Sequence, residues 1–313
     1  MARDAQTGAW FIVAIHSTKL GPARGGTRMR GYASLDAAIL DVLALSQAMT
    51  WKFASLRFPS GGGKAVIVGA QELGSEARRL LLIRYGEHLQ QFQGRFQTGP
   101  DVGTSPADMS VIAERGTPHV FCRTREKGGP GDSAPLTALG VQAAIVDIAS
   151  RLNGSPSLDG QRIAIQGVGS VGLALAKLLL AQGASLLVAD PDPTRRACLQ
   201  DPNVTWVDPD RVLASPCDLL VPCALGGALN HITLPSLRCR GVIGAANNPL
   251  ATSADAAELH ARGILLAPDF IANAGGAVGC TGIEALGWSP ERAQTEVETR
   301  IREALAETFS IVE

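Results

Sequence analysis

The segment Gln161-Arg-Ile-Ala-Ile-Gln-Gly-Val-Gly-Ser-Val-Gly172 is the most informative one for the architecture of the second half of the chain. Its first six residues are short and apolar enough for a strand in the middle of a parallel sheet, and Gly167 then opens a Gly-x-Gly-x-x-Gly turn. A helix over Val171–Gln182 and a strand over Ser185–Ala189 are predicted next, and Asp190 follows that strand. This order of elements predicts a doubly wound, Rossmann-type sheet that binds a dinucleotide.

The glycine turn predicts the cofactor and its contacts. Gly167 would permit the tight turn, Gly169 would let the backbone approach a pyrophosphate, and Gly172 would let the helix pack closely on the strand. Asp190, eighteen residues after Gly172, favours NAD, because its carboxylate accepts hydrogen bonds from the ribose hydroxyls and would repel a 2′-phosphate. The pair Arg195-Arg196 lies just downstream and could accommodate that phosphate, so NADP is the less favoured alternative.

The remaining patterns extend this sheet and predict a separate mixed α/β domain before it. In the second half they predict a helix and three strands, over Thr137–Leu152, Leu219–Pro222, Gly241–Ile243 and Ile264–Ala267. In the first half they predict strands and helices over Trp10–His16, Lys64–Val68, Ser34–Met49 and Glu76–Phe92, with Ser34 as a helix cap. A Gly/Pro cluster at residues 127–135 is typical of a hinge between domains.

Composition and charge exclude several classes of function. The 313 residues carry 28 Lys and Arg against 29 Asp and Glu, without a long run of one sign, so nucleic acid and anionic membranes are not expected as partners. No uninterrupted apolar stretch approaches the roughly 20 residues that cross a bilayer, and the N-terminus lacks the apolar core of a signal peptide. The six cysteines lack metal-ligand spacing, which predicts no metal site and reduced thiols in the cytoplasm.

Two lysines and one aspartate of the first half are candidate catalytic residues. Lys52 and Lys64 lie twelve positions apart in apolar or glycine-rich sequence, although only five of the 28 cations are lysines. Partial burial disfavours the charged form of a lysine, which lets its amine act as a base near neutral pH, and a second cation nearby adds to this effect. Asp101 stands in a loop of small residues, where it could equally be a turn or cap residue. With a nicotinamide, a lysine and a carboxylate can convert an amine into an imine and then a ketone.

Several ordered motifs resemble those of a known family. They extend over nearly the whole chain, from about Thr7 to Phe309. The motifs are Leu20-Gly-Pro-Ala-Arg-Gly-Gly-Thr-Arg-Met29, the two-lysine segment that ends Gly61-Gly-Gly-Lys64, Asp101-Val-Gly-Thr104, Pro222-Cys-Ala-Leu-Gly226, Ala246-Asn-Asn248 and Ala267-Pro-Asp-Phe-Ile-Ala-Asn-Ala-Gly-Gly276. In these segments the chain resembles the Glu/Leu/Phe/Val amino acid dehydrogenases, most of all the leucine and phenylalanine branch.

The resemblance implies a reaction and a role for each matching residue. It implies reversible, NAD-dependent oxidative deamination of an L-amino acid to a 2-oxo acid and ammonia, in a cleft between the two domains. Lys52 would hold the α-carboxylate, Lys64 would be the general base and Asp101 would carry protons. The substrate end would be lined by Gly25, Gly26 and Met49. The residues around NAD would be Gly167, Val168, Gly169, Ser170, Val171, Gly172, Asp190, Cys223, Ala224, Asn247 and Asn273, with Thr137 near the carboxamide.

The resemblance also implies a division into domains and a mode of assembly. Residues 1–132 would hold the substrate and the catalytic side chains, residues 133–290 would bind NAD, and residues 291–313 would form a helix that packs back toward the first domain. The chain is shorter than the family pattern at both ends, which favours a homodimer over a large assembly. Asp132 stands where an asparagine is usual in the family, beside the expected hinge.

The positions expected at the substrate side chain differ from the branched-chain pattern. They are Arg24, Gly99, Ala277 and Cys280. The small Gly99 and Ala277 predict room for a bulky hydrophobic or aromatic side chain. The Arg24 guanidinium would suit an acidic side chain, stack on a ring or pair with Asp132. Two other hypotheses stay open: a biosynthetic reductive aminase or imine reductase for an unusual 2-oxo acid, and a non-catalytic nucleotide-binding paralogue.

Overall fold

The computed structural model describes residues 1–224 and 226–312, which form two compact units. The first unit contains residues 1–133 and 280–293, and the second contains the rest of the described chain. Within the described chain, every helix is too short or too polar to cross a membrane.

The first unit is a five-stranded mixed sheet with helices on both faces. Its strands are β1 (Ala2–Arg3), β2 (Trp10–Ser17), β3 (Ala23–Met29), β4 (Gly61–Val68) and β5 (Phe96–Pro100), and its helices include α1 (Leu35–Ser55), α2 (Ser75–Gln90) and α3 (Pro106–Gly116). The strand order is β1-β2-β4-β3-β5, in which β3 is parallel to both β4 and β5. Helix α1 covers one face of the sheet and α2 with α3 covers the other, each over a buried apolar cluster.

The predicted elements of the first unit are present, with longer or shifted ends. Ser34 caps α1, since its side chain accepts a hydrogen bond from the backbone N–H of Ala37 at 3.1 Å. The helix continues past its predicted end at Met49 as far as Ser55, so Lys52 lies in its last turn. Strands β3 and β5 are missing from the sequence-based prediction, because their glycines and polar residues do not alternate with apolar ones.

Glycines let the neighbouring elements approach β4 closely. The strand begins at Gly61 rather than at the predicted Lys64. A Cβ atom on Gly62 would lie 2.1 Å from the backbone nitrogen of Thr50 in α1. A Cβ atom on Gly25 of β3 would lie within 2 Å of the Gly63 carbonyl oxygen. At both places a side chain of any kind would push the backbone elements apart.

The second unit contains a six-stranded sheet in which every strand pair is parallel. Its strands are β6 (Arg162–Gln166), β7 (Ser185–Ala189), β8 (Val204–Trp206), β9 (Leu219–Pro222), β10 (Gly241–Ile243) and β11 (Leu265–Ala267), and its helices include α4 (Ala134–Asn153), α5 (Ser170–Leu180), α6 (Ser253–Ala261) and α7 (Asp269–Ala272). The strand order β11-β10-β9-β6-β7-β8 is that of a dinucleotide-binding doubly wound domain. The predicted Rossmann-type sheet is therefore confirmed.

Two C-terminal helices, α8 (Gly275–Leu286) and α9 (Pro290–Val312), are divided between the units. In the first unit, Trp288 packs edge-on against Phe58, with 5.8 Å between ring centroids. In the second unit, Ile301 of α9 lies against Gly140 of α4, where an added Cβ would come within 2.6 Å of it. The sequence-based prediction placed a domain boundary at residue 290 and packed residues 291–313 back toward the first domain. In the structure, residues 280–293 belong to the first unit and the rest of α9 belongs to the second. An amphipathic pattern shows that a helix has an apolar face, but not which surface covers that face.

Candidate active site

Lys64 and Asp101 form a buried ion pair in the first unit. Lys64 lies in β4 and Asp101 directly follows β5, while β3 runs between these two strands. The Nζ atom of Lys64 is 2.9 Å from Oδ2 of Asp101, and the two side chains are 6% and 14% exposed. The two side chains expected to exchange protons are therefore in direct contact.

The position of Asp101 depends on a glycine and on a threonine. A Cβ atom on Gly26 of β3 would lie 2.8 Å from the Asp101 Cβ, so only glycine leaves room for this carboxylate. The Asp101 backbone N–H donates to Oγ1 of Thr104 at 2.9 Å, and that hydroxyl donates in turn to the Thr27 carbonyl at 2.8 Å. These bonds fasten the loop that carries Asp101 to strand β3.

Positive charge keeps Asp101 ionised. Burial alone would raise the pKa of this carboxyl group, but the charges of Lys64 and Arg28 outweigh burial and hold the pKa well below its usual range. The Nε atom of Arg28 contacts the same Oδ2 atom at 3.0 Å. Arg28 lies in the motif Leu20–Met29, but it is not among the site residues predicted from the sequence.

Helix α1 brings two further predicted residues to this face of the sheet. Met49 and Lys52 are both buried, with 9% and 7% of their surface exposed. A Cβ atom on Gly25 would lie 3.3 Å from Cγ of Met49, which places this methionine over the start of β3. The helix thus buries a cationic side chain in its last turn, in the unit that holds the Lys64–Asp101 pair.

Arg24 lines a cavity of about 340 Å³ in the first unit. Its Nε donates to Oε1 of Gln97 at 2.6 Å and its Nη1 donates to Oγ of Ser60 at 3.2 Å. Within the described chain, no carboxylate lies at ion-pair distance from Arg24, so the expected alternative of a pair with Asp132 is not what the structure shows. Burial lowers the pKa of the Arg24 guanidinium. The cavity is otherwise lined by Gln97, Thr117, Pro118, Val120, Phe121, Arg123, Thr281, Glu284 and Ala285.

The remaining predicted pocket residues are placed differently from expectation. Gly99 does not open the cavity, because a Cβ on it would lie 2.3 Å from the Phe121 ring, which already fills that space. Cys280 is fully buried beside Cys122, and this contact and burial raise the pKa of the Cys122 thiol. Ala277 lies in the part of α8 that belongs to the second unit, and it is half-buried. Phe121 and Glu284 were not predicted, since no local pattern marks either residue.

The glycine loop of the second unit has the geometry expected for a phosphate. Gly167 adopts a φ of +97°, which only glycine reaches without strain. An added Cβ on Gly172 would lie 2.1 Å from the Gly167 carbonyl oxygen, whereas one on Gly169 would meet nothing within 4 Å. Helix α5 begins at Ser170 and no side chain caps it, so its first N–H groups are not satisfied by a capping side chain. Val168, Ser170 and Val171 complete this loop.

Asp190 braces the glycine loop. Its Oδ2 accepts a hydrogen bond from the Val168 backbone N–H at 2.7 Å, and its Oδ1 accepts one from Asp192 at 2.9 Å. The two arginines downstream have partners of their own. Arg195 contacts Asp192 at 3.5 Å, and Arg196 lies over the Trp206 ring, 5.8 Å from its centroid. Asp190 therefore presents a negative charge at the end of β7, while both arginines are engaged elsewhere.

Other predicted cofactor residues surround Asn273. The Nδ2 atom of Asn273 donates to the Ala246 carbonyl and to Oδ1 of Asn247, both at 3.2 Å. Its own Oδ1 is buried and has no hydrogen-bond partner in the described chain. Such an orphan acceptor is costly unless a ligand group meets it. Cys223 and Ala224 follow β9, where Ala224 lies 3.1 Å from the Cβ position of Gly167, and Thr137 lies in the first turn of α4. The uncapped helix, the open space at Gly169 and this orphan oxygen all fit a dinucleotide.

Comparison with known proteins gives matches over nearly the whole chain. A family model described as Glu/Leu/Phe/Val dehydrogenase, dimerisation domain, matches residues 6–117, and one described as Glutamate/Leucine/Phenylalanine/Valine dehydrogenase matches residues 128–194 and 191–313. Leucine dehydrogenase of Bacillus subtilis is 39% identical over 95% of this chain and 80% of its own length. Phenylalanine dehydrogenase of Lysinibacillus sphaericus is 41% identical over 88% and 73%. The crystal structure of L-tryptophan dehydrogenase from Nostoc punctiforme matches with a TM-score of 0.79 and 35% identity, over 97% of this chain and 86% of that chain.

Proposed function

Because the chain belongs to the Glu/Leu/Phe/Val dehydrogenase family and is an amino acid dehydrogenase, we propose that it catalyses reversible, NAD-dependent oxidative deamination of an L-amino acid. The amino acid, NAD and water give a 2-oxo acid, an ammonium ion, NADH and one proton. The observation that carries the proposal is the buried Lys64–Asp101 contact of 2.9 Å. The reaction needs a base and a proton carrier at one place, and a pair of this kind supplies both.

Three charged residues of the first unit have separate tasks in this proposal. Lys52 binds the substrate α-carboxylate as a fixed cation. Lys64 takes a proton from the water that attacks the imine carbon, and Asp101 passes protons to and from the amino group as the intermediate collapses to ketone and ammonia. Met49, Gly25 and Gly26 line the substrate without taking part in proton transfer. NAD, when bound, accepts the hydride from the substrate Cα.

The second unit holds NAD rather than NADP in this proposal. The N–H groups at the start of α5 bind the pyrophosphate, and Asp190 faces the ribose hydroxyls. The negative charge of Asp190 disfavours a 2′-phosphate, and neither Arg195 nor Arg196 is free of other contacts to offset that charge. Asn273, with Asn247, Cys223, Ala224 and Thr137, lies around the rest of the cofactor.

The substrate side chain is proposed to be bulky and hydrophobic or aromatic. The named relatives act on leucine and phenylalanine, and a structural neighbour acts on tryptophan. The cavity beside Arg24 is large enough for such a group, and Phe121, Val120 and Pro118 give it apolar walls. The flat face of the Arg24 guanidinium can stack on a ring.

One observation favours a second candidate, an amino acid with an acidic side chain. Arg24 is 7% exposed and lacks a carboxylate partner within the described chain. A buried charge without a counter-ion is costly, and a substrate carboxylate would remove that cost. Arg123 and Glu284 offset one another at 3.5 Å, so the cavity keeps one net positive charge among its lining residues.

The test is NADH formation at alkaline pH, read by absorbance, over a panel of aliphatic, aromatic and acidic L-amino acids. Turnover of leucine, phenylalanine or tryptophan supports the first candidate, and turnover confined to aspartate or glutamate supports the second. An Arg24→Met variant separates them further, because it should abolish turnover of an acidic substrate and leave that of leucine within about threefold. NAD binding without turnover of any amino acid contradicts the proposal.

The proposal extends to a homodimer in the cytoplasm. The family model that matches residues 6–117 describes a dimerisation domain. Size-exclusion chromatography with light scattering measures the mass directly, and the 32.6 kDa chain should then give a particle of twice that mass. A mass of one chain would contradict the dimer.

A further inference from the structure

We propose that Arg28 is a positioning residue: it holds Asp101 in place and gives this carboxylate a second counter-ion, so that Lys64 can lose its proton without leaving Asp101 uncompensated. This inference deepens the proposed function and rests on it only for the assignment of Lys64 as the base. Arg28 lies two residues after Gly26 on β3, on the face of the sheet that also carries Lys64. Nothing in the sequence motifs assigns it a role.

The contacts of Arg28 form a row of alternating charges. Its Nε contacts Oδ2 of Asp101 at 3.0 Å, the same oxygen that Lys64 contacts at 2.9 Å. Its Nη1 contacts Oδ2 of Asp41 in α1 at 3.0 Å, and the Tyr32 hydroxyl donates to that oxygen at 2.6 Å. The order is Lys64, Asp101, Arg28, Asp41, with opposite charges in contact at each step. One guanidinium therefore links the candidate active site to helix α1.

The Asp41 end of this row is held in place by partial burial and by the Tyr32 hydroxyl. Arg28 is 11% and Asp41 is 24% exposed. Burial and the Asp41 carboxylate raise the pKa of Tyr32 to about 12, so its hydroxyl stays a donor at every working pH. Arg30 lies over the Tyr32 ring, 4.6 Å from its centroid. For Arg28, burial would lower the pKa but the charges of Asp101 and Asp41 outweigh it, so the guanidinium keeps its charge.

This arrangement decides what happens when Lys64 gives up its proton. Without Arg28, neutral Lys64 would leave Asp101 as a buried carboxylate with no cation beside it, which is a costly state. With Arg28 in place, Asp101 keeps a counter-ion whether or not Lys64 is charged. Arg28 also places a second cation close to Lys64, since both touch one oxygen atom. The Asp101 carboxylate favours the charged form of Lys64, and both effects of Arg28 oppose it, which makes the neutral amine that a base requires easier to reach.

The charge row predicts opposite effects for two substitutions. Arg28→Met removes the cation and should move the acidic limb of the kcat/KM profile, and the titration of Lys64, to higher pH by about one unit, so that activity below that limb falls about tenfold. Asp41→Asn removes the negative charge of the second carboxylate that contacts Arg28. The positive charge of Arg28 then acts more strongly on Asp101 and Lys64. The same limb should then move to lower pH, by about half a unit. A merely structural role would lower activity in both variants and shift neither profile.

The experiment reads Lys64 directly and needs no turnover. The five lysines of the 313-residue chain are labelled with 13C at Cε, the Lys64 resonance is assigned with Lys64→Arg, and its shift is followed over pH by NMR. Arg28→Lys should restore most of the wild-type midpoint, because it returns the charge. Arg84→Met is the matched control, since it breaks another Arg–Asp contact of the first unit, to Asp4 at 2.6 Å, and should leave the midpoint unchanged.

Opposite shifts for Arg28→Met and Asp41→Asn support the inference. An unchanged midpoint in both, or shifts of the same sign, overturn it. If Arg28→Met does not fold, the direction of the Asp41→Asn shift decides alone. A wild-type protein without turnover on any amino acid contradicts the proposed function, whereas the titration still reports whether Arg28 controls the charge of Lys64.

Discussion

The two units carry their candidate sites on different parts of the polypeptide. In the first unit the site consists of charged side chains, with Lys64, Asp101 and Arg28 meeting at one oxygen atom. In the second unit it consists of backbone N–H groups at the start of α5, and glycine supplies the space. A side-chain site is broken by removing atoms, whereas a backbone site is broken by adding them. Removing a side chain in the first unit should therefore affect catalysis, whereas adding one to the glycine loop should affect cofactor binding.

The largest effect should come from removing Lys64, the proposed base. Lys64→Ala should lower kcat/KM for the best amino acid by about 10³-fold, because general-base catalysis is lost and Asp101 loses one of its two cations. NAD affinity, measured by the quenching of protein fluorescence, should stay unchanged, since the glycine loop belongs to the other unit. Lys19→Ala, at an exposed position, is the control. A parallel loss of NAD affinity would contradict the separation between the units.

Two alanine substitutions in the glycine loop should differ from one another. Gly169→Ala adds a methyl group where the space is open, so the melting temperature should be unchanged while the Kd for NAD rises at least about tenfold. Gly172→Ala adds one 2.1 Å from the Gly167 carbonyl and should destabilise the unit by about 1–3 kcal/mol. Calorimetry and NAD titration measure both. Equal destabilisation by the two variants would argue against an open phosphate site at Gly169.

A charge change at Asp190 should alter cofactor choice. Asp190→Asn keeps an oxygen that can accept the Val168 N–H but removes the negative charge, so the NADP to NAD ratio of kcat/KM should rise about tenfold. Asp210→Asn, at an exposed position of the same unit, is the matched control and should leave the ratio within about twofold. A ratio unchanged in Asp190→Asn would mean that this carboxylate only braces the loop.

The smallest effect concerns an ion pair of the first unit that lies outside its candidate site. Arg84 donates to both oxygens of Asp4, at 2.6 and 2.9 Å, and holds the pKa of Asp4 at about 2. Its stabilisation is therefore complete above about pH 4 and is lost as the pH falls toward 2. Asp4→Asn should lower the free energy of unfolding by about 1 kcal/mol at pH 7 and by little near pH 2, with kcat unchanged. Denaturant unfolding at both pH values measures this, and an equal loss at both would contradict it.

Sequence patterns identified those site residues that lie in a recognisable motif or beside an apolar strand. Gly167, Gly169 and Gly172 stand at a fixed spacing after an apolar strand, and Lys64 runs into such a strand. Arg28 lies in a quoted motif, but its role was not predicted, because which of the arginines in β3 faces Asp101 depends on the alternation of a strand that has no apolar pattern. The doubly wound sheet of the second unit could be predicted from the alternation of helices and strands. The sheet of the first unit could not, because β3 and β5 were not recognised as strands.

Contacts between residues far apart in the chain could not be predicted from local sequence patterns. Gly99 is small, and a small residue predicts room for a ligand, yet the Phe121 ring fills that room because Thr98 pairs with Val120 in a short β-bridge. Arg24 binds Gln97 rather than Asp132, because Gln97 lies directly opposite it on the neighbouring strand. Both outcomes depend on strand register, which local composition does not determine.

The glycines between α1, β3 and β4 set limits on how the enzyme can be redesigned. An added methyl group at residue 25, 26, 61 or 62 would overlap backbone atoms of a neighbouring element. A mutant library that randomises these positions would consist almost entirely of misfolded clones. A library would instead vary Arg24, Gln97, Phe121 and Thr281, which all line the cavity of the first unit. The backbone around these glycines is the part of the scaffold that tolerates no substitution, and the cavity lining is the part that can be varied.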